Sequence, residues 1–247
     1  MQDKSGLDDT LALMRDLRAR CEWDAAQTHE SLRPYLIEEA HELDDALRDA
    51  NDAQIREELG DVLLQVVFHS VVAEERGAFG LDDVAAGLIA KMRTRHPHLY
   101  GDGEKQPWES MKARTRSSLA EGLPLGLPAL HRAHRLQDRA AGVGFDWPGI
   151  EGPAQKVEEE LGEVRAEVAS GASAEALEAE LGDLLFAVVN LARKAGVHPS
   201  LALDKANTKF ERRFGAMETL ARARGVELRG MDLASLDQLW DEAKKTP

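Results

Sequence analysis

The residues best placed to do chemistry are four carboxylates in the stretch from Glu158 to Asp183: Glu160 and Glu163, then Glu180 and Asp183. Each pair is three residues apart, ExxE and then ExxD. Around the first pair, Val157, Leu161, Val164 and Val168 recur at helical spacing and form an apolar stripe. At about 100° per residue, Glu160 stands roughly 70° from the centre of that stripe and Glu163 roughly 130°, on the same side. Leu177, Leu181, Leu184 and Val188 form a second stripe, flanked by Glu180 and Asp183. Gly171 and Ser173 sit in the break, where a short antiparallel turn would fold one helix onto the other. Packing stripe on stripe would then bring the four carboxylates together. Crowded carboxylates repel one another unless a cation sits among them. An all-oxygen donor set selects a hard ion, Mg²⁺ where phosphates complete its shell, with Mn²⁺ as a substitute. The bland alternative is a pair of solvated amphipathic helices. The matching ExxD on the second helix counts against it.

The same arrangement occurs twice. EEAHE at 38–42 answers EELGE at 159–163, an offset of 121, and ELGD at 58–61 answers ELGD at 180–183, an offset of 122. Glu39, Glu42, Glu58 and Asp61 are therefore candidate metal ligands of an N-terminal copy. Lys91 and Arg95 match Lys209 and Arg213, each pair four residues apart on one helix face. Trp23-Asp24 and the GFDWP segment around Trp147 precede the acidic helix in the two copies. Duplication of ordered features carries more weight than any one motif.

Helical periodicity predicts the elements that would position these groups. A first helix runs over Leu7–Arg20, and Trp23 to Pro34 reads as a loop with a short helical piece. A helix from Leu36 breaks at Asn51-Asp52, and another spans Ala53 to Gly77. The stretch 101–128 is rich in Gly and Pro and reads as a connection containing a short helix, Trp108–Ala120. A helix follows, with Arg132, Arg135 and Arg139 on a solvated basic face, then the acidic hairpin, a helix over Lys205–Arg224, and a final amphipathic helix opened by Asp232. Trp240 on that last helix reads as a core residue or an aromatic platform. No strand pattern competes, so the fold class is an all-α bundle. The domains are 1–100, with 101–128 as the link, and 129–247.

Composition narrows the function. Over 247 residues, 43% are hydrophobic, enough for a sizeable core, and the net charge is −14. That charge argues against a nucleic-acid partner, which needs a basic face. It leaves room for a phosphorylated small molecule held by a local basic cluster: Lys156, Lys209, Arg212 and Arg213. Cys21 is the only cysteine, so no intrachain disulfide can form and a reducing, cytoplasmic compartment is expected. There is no signal-peptide pattern and no membrane-length apolar run. There is also no Walker-A loop and no Ser or Cys nucleophile elbow.

Glu159-Glu160-Leu161-Gly162-Glu163 followed by Glu180-Leu181-Gly182-Asp183 resembles the all-α nucleoside triphosphate pyrophosphohydrolases. The duplication, CEWD, GFDWP, LPALHRA and KFERRF resemble the MazG family over nearly the whole chain. The resemblance implies two similar helical domains, a homodimer, and Mg²⁺-dependent hydrolysis of NTP or dNTP to monophosphate and pyrophosphate with broad base tolerance. It implies that the C-terminal copy is catalytic, with Glu160, Glu163, Glu180 and Asp183 as metal ligands. Lys156, Glu159, Lys209, Phe210, Arg212 and Arg213 would then contact the substrate, and Trp240 the nucleotide. The N-terminal copy departs from the pattern at Met92 and Thr94, and Glu22 stands where the family has Pro. Two other readings stay open. A di-iron carboxylate bundle needs two ExxH motifs, and only Glu38-x-x-His41 fits. A non-catalytic interaction bundle would use its acidic faces for solubility alone.

Overall fold

The computed structural model describes residues 6–105, 108–113 and 116–245. Among them are twelve helices and no strand, as the periodicity predicts. The chain divides into two compact units, residues 1–105 and 106–247.

The first unit holds α1 (Leu7–Arg20), α2 (Glu22–Ala26), α3 (His29–Asp49), α4 (Asp52–Glu75), α5 (Leu81–Thr94) and α6 (Pro97–Tyr100). Helices α3 and α4 form a hairpin joined by Ala50, in the left-handed region at φ 52°, and Asn51, whose side chain caps α4 by accepting from Ala53 N. Leu11 and Met14 of α1 pack with Leu32 of α3 and with Val67, Phe68, Val71 and Val72 of α4 as one buried cluster. Helix α3 begins at His29, not at Leu36 as Pro34 suggested. Thr28 and Ser31 explain the difference. Ser31 N donates to Thr28 Oγ1 at 3.2 Å and Thr28 N donates to Ser31 Oγ at 2.9 Å. That reciprocal cap, with Leu32 buried just behind it, offsets the one helical hydrogen bond that Pro34 forfeits.

The second unit holds α7 (Trp108–Ala113), α8 (Ala129–Gly142), α9 (Glu151–Ser170), α10 (Ala174–Lys194), α11 (Pro199–Ala223) and α12 (Leu233–Ala243). Gly171, at φ 69°, ends α9 in the left-handed conformation, and Ser173 caps α10 by accepting from Ala176 N. The predicted turn therefore joins the acidic helices as a hairpin. Helix α11 starts six residues before the expected Lys205, with Pro199 at its first position, where no N–H is needed. Of the helix expected over Trp108–Ala120, the described part is Trp108–Ala113, and Arg116–Ala120 is not helical. Residues 114 and 115 lie outside the described residues, and beyond them Glu121 accepts from Ser117 N and Oγ in a tight turn.

Two expectations fail here. The arginines of α8 do not form a solvated face. Arg139 is buried and donates to the carbonyls of Leu119 (2.7 Å) and Glu121 (2.8 Å), and Arg132 donates to Pro124 O. Arg135 pairs with Glu109 at 2.7 Å. Together they dock α7 and the 117–124 segment onto α8, because that Pro- and Gly-rich stretch has carbonyls but no ladder to satisfy them. Nor do the apolar stripes of α9 and α10 bury one another. Val168, Leu181 and Val188 stay exposed while Glu160 is only 5% exposed. Of the four carboxylates Glu160 is buried and Glu180 half-buried, while Glu163 and Asp183 are exposed.

Candidate metal and nucleotide site

Glu160 and Glu163 lie near the middle of α9, and Glu180 and Asp183 in the second and third turns of α10. The hairpin sets these two stretches side by side. Carboxylate oxygens of Glu160, Glu180 and Asp183 come within 4.8 Å of one another, and those of Glu159, Glu160 and Glu163 make a second such group. Glu160 belongs to both and is the buried centre of the set. Lys156, one turn earlier, places its Nζ 2.5 Å from Glu160 and 2.9 Å from Glu159.

The electrostatics follow from that crowding. The Lys156 ammonium holds Glu160 below the usual carboxylate range, and the two glutamates hold Lys156 above its ordinary value. Glu163 is pushed up, first by its hydrogen bond with Glu160 and then by that carboxylate's charge, with burial and Glu180 adding to it. One lysine thus serves five clustered acids, and the surplus negative charge and oxygen-only donors fit a hard divalent cation. The first unit repeats the geometry. Oxygens of Glu39, Glu58 and Asp61 come within 4.8 Å of one another, and Glu39 is pushed up by burial and then by Asp61, Glu42 and Glu58. The position 121 residues before Lys156 is Tyr35. Among the described residues no ion pair engages Glu39, Glu42, Glu58 or Asp61.

The other expected contacts lie along α11 and α12. Lys209, Phe210 and Arg212 are exposed, and Arg213 is half-buried with Nε unpartnered. Among the described residues no ion pair joins Lys209, Arg212 or Arg213 to the four carboxylates. Trp240 is half-buried against the Met217–Ala221–Leu239–Ala243 cluster, and its ring centroid lies 5.4 Å from that of Phe210. It thus packs as a core residue and also touches an exposed aromatic ring at a tilt of 43°.

Sequence reasoning missed a cavity of about 420 Å³ that shares Lys156, Glu160 and Asp183 with the acidic cluster. Its walls include Phe145, Trp147 and Phe186, with Gln137 and Asn190 as polar members. The signal was there: Phe186 and Asn190 fall one and two turns beyond Asp183 on α10, and Asn190 interrupts an otherwise apolar run. The loop carrying Trp147 is pinned to α10. Asp146 accepts from Arg193 Nη2 (2.5 Å) and Lys194 Nζ (3.2 Å), and Lys194 also donates to Trp147 O at 2.6 Å.

A family profile for the MazG nucleotide pyrophosphohydrolase domain matches residues 27–100 and 151–215, one segment in each unit. The nucleoside triphosphate pyrophosphohydrolase/pyrophosphatase MazG of Thermotoga maritima is 46% identical, over 96% of this chain and 95% of its own. The nucleoside triphosphate pyrophosphohydrolase of Escherichia coli K12 is 41% identical over 94% of this chain and 93% of its own. YabN of Bacillus subtilis, described as an uncharacterized protein, is 44% identical over 95% of this chain but only 51% of its own. With its duplicated acidic hairpins, the profile match in both units and relatives aligned from end to end, this chain belongs to the MazG nucleotide pyrophosphohydrolase family.

Proposed function

We propose that the chain hydrolyses nucleoside and deoxynucleoside triphosphates to the monophosphate and pyrophosphate, with Mg²⁺ as cofactor and Mn²⁺ as a substitute. The observation that carries this reading is the convergence of Glu160, Glu180 and Asp183 oxygens within 4.8 Å beside Lys156. Glu160, Glu163, Glu180 and Asp183 would hold the ion. A bound divalent ion neutralises phosphate charge and acidifies a coordinated water.

The chain's own groups do the rest. Lys156 trades Glu160 for a phosphate oxygen as substrate enters, and Glu159 keeps the ammonium aimed at the cluster. Lys209, Arg212 and Arg213 take the outer phosphates, Arg by paired N–H donors and Lys as a point charge. A carboxylate not saturated by metal accepts the proton of the attacking water. The water oxygen bonds to phosphorus as the bond between the α- and β-phosphates breaks, and pyrophosphate leaves. Trp240 contacts the nucleotide beside Phe210.

The exposed apolar residues Leu181, Leu185 and Val188 on α10 suit a second copy of the chain, so the working form is a homodimer. Among the described residues no helix is long and apolar enough to cross a membrane, and the lone free Cys21 fits the cytoplasm. The iron-carboxylate alternative is not favoured, because among the described residues the groups able to share an ion contain only Glu and Asp. Product analysis tests the reaction. Glu180→Gln and Asp183→Asn should each lower Mg²⁺-dependent pyrophosphate release by at least about a hundredfold with helicity unchanged. Full turnover in either variant, or orthophosphate as the first product, contradicts it.

A further inference from the structure

We propose that His131, His134 and His198 form an acid-sensitive joint between α8 and the start of α11, closed while the rings are neutral and loosened when they take up protons. Because α11 carries Lys209, Arg212 and Arg213, loosening weakens the grip on a phosphorylated substrate. That consequence rests on the nucleotide reading above; the joint itself does not.

The rings come together from two elements. His131 and His134 stand one turn apart on α8, and His198 precedes Pro199, the buried first residue of α11. The His198 ring touches both of the others. Its centroid lies 5.1 Å from that of His131, edge to face, and 4.7 Å from that of His134, at a tilt of 56°. His198 makes no side-chain cap to α11, so its ring serves the contact with α8 instead.

Hydrogen bonding leaves the cluster unprepared for charge. The Nδ1 atoms of His134 and His198 are buried and have no hydrogen-bond partner among the described residues. A neutral imidazole can leave one nitrogen as a bare lone pair. A protonated one donates from both nitrogens, so each of these atoms would become a charged donor with no acceptor. Asp138 Oδ2 lies 3.5 Å from His134 Nε2, but the same oxygen accepts from Arg135 Nη1 at 2.9 Å. The groups on neighbouring elements are committed as well. On α7, Glu109 is bound to Arg135, Arg116 and Lys112. On α10, Arg193 and Lys194 are bound to Asp146. The first turn of α11 has no acidic residue, and its N-terminus brings the positive end of a helix dipole.

The direction of the response follows. Burial pushes His131 and His134 below the ordinary imidazole value of 6.5, and the charges of His198 and Arg135 push the same way. For His134 the Asp138 carboxylate opposes them, second in weight to burial. The unfolded chain therefore takes up protons that the folded joint refuses, and stability falls as pH drops below about 6.5.

Histidine-selective NMR on the full chain reads the joint without turnover. His131 and His134 should titrate below the ordinary value in the unmodified chain and rise toward it in His198→Asn, which keeps a residue suited to start α11. Thermal melts from about pH 7.5 to about 5.5 should show a smaller acid loss in His198→Asn, and in His131→Gln with His134→Gln, than in the unmodified chain. Asp138→Asn should deepen the loss, because it removes the opposing charge. In steady state with saturating Mg²⁺, the same acidification should raise KM for ATP about fivefold more in the unmodified chain than in His198→Asn. Rings that titrate at or above the ordinary value, or an acid loss equal in all these forms, would overturn the joint. A KM response unchanged by either histidine variant would overturn its link to substrate grip. A joint that titrates as expected in a chain releasing no pyrophosphate would sink the nucleotide reading and leave the joint standing.

Discussion

At the scale of the residue, charge placement decides what is rigid. Asp146 is held below the usual carboxylate range, first by its hydrogen bond to Arg193 and then by Lys194. Arg193 is only 10% exposed at its side chain, so Asp146→Ala leaves a largely desolvated guanidinium with Asn190 alone. The expected cost is about 2 kcal/mol, read as a drop in denaturant midpoint. Glu109 is the stronger case. Burial pushes its carboxyl up, but hydrogen bonds from Arg135, Arg116 and Lys112 outweigh that and bring it from 4.5 to about 2. A carboxylate with a lowered folded value contributes fully above its ordinary range and loses that contribution as pH falls toward the folded value. Glu109→Gln should therefore lower stability by about 3 kcal/mol near pH 7, with the gap closing between pH 4.5 and about 2. Thermal melts of both forms across that range check the sign. A gap that widens on acidification would contradict it. The four site carboxylates were legible as residues because their spacing is periodic. Glu109 and Asp146 were not, since Arg135 lies 26 positions from the first and Arg193 47 from the second.

At the scale of the element, the acidic hairpin was readable almost to its ends. Gly171 and Ser173 are local signals, and the structure uses both as caps. Helix α3 was misjudged because Pro34 is a strong local breaker, while the cap that overrides it needs Thr28 and Ser31 to bond reciprocally. Thr28→Ala should cost about 1 kcal/mol and fray α3 back toward Leu36, visible as faster amide exchange over residues 29–35. Unchanged exchange there would show that Leu32 packing alone sets the start. The stripes were misread for a different reason. Periodicity shows that one helix face is apolar and does not say what covers it.

At the scale of the whole molecule, two units carry one plan with different electrostatics. The N-terminal cluster has Tyr35 where the C-terminal one has Lys156, so it lacks the ammonium proposed to pass to a phosphate. Glu58→Gln with Asp61→Asn should accordingly leave turnover within about threefold, whereas Lys156→Ala should raise KM for triphosphate at least about tenfold. Equal losses from both changes would make the two copies functional equals. The exposed α10 face predicts that Leu181→Asp with Leu185→Asp shifts the chain from dimer to monomer in light scattering, because two charges cannot be buried unpaired. A dimer that survives them uses another surface.

The central claim is that the C-terminal hairpin carboxylates bind a divalent ion. Its most direct test is Mn²⁺ binding followed by the loss of the free-ion paramagnetic resonance signal, in a chain whose N-terminal cluster is silenced by Glu58→Gln and Asp61→Asn. Saturable uptake of Mn²⁺ that disappears on adding Glu180→Gln and Asp183→Asn, with helicity intact, is the predicted result. Uptake undiminished by those two changes would contradict the account.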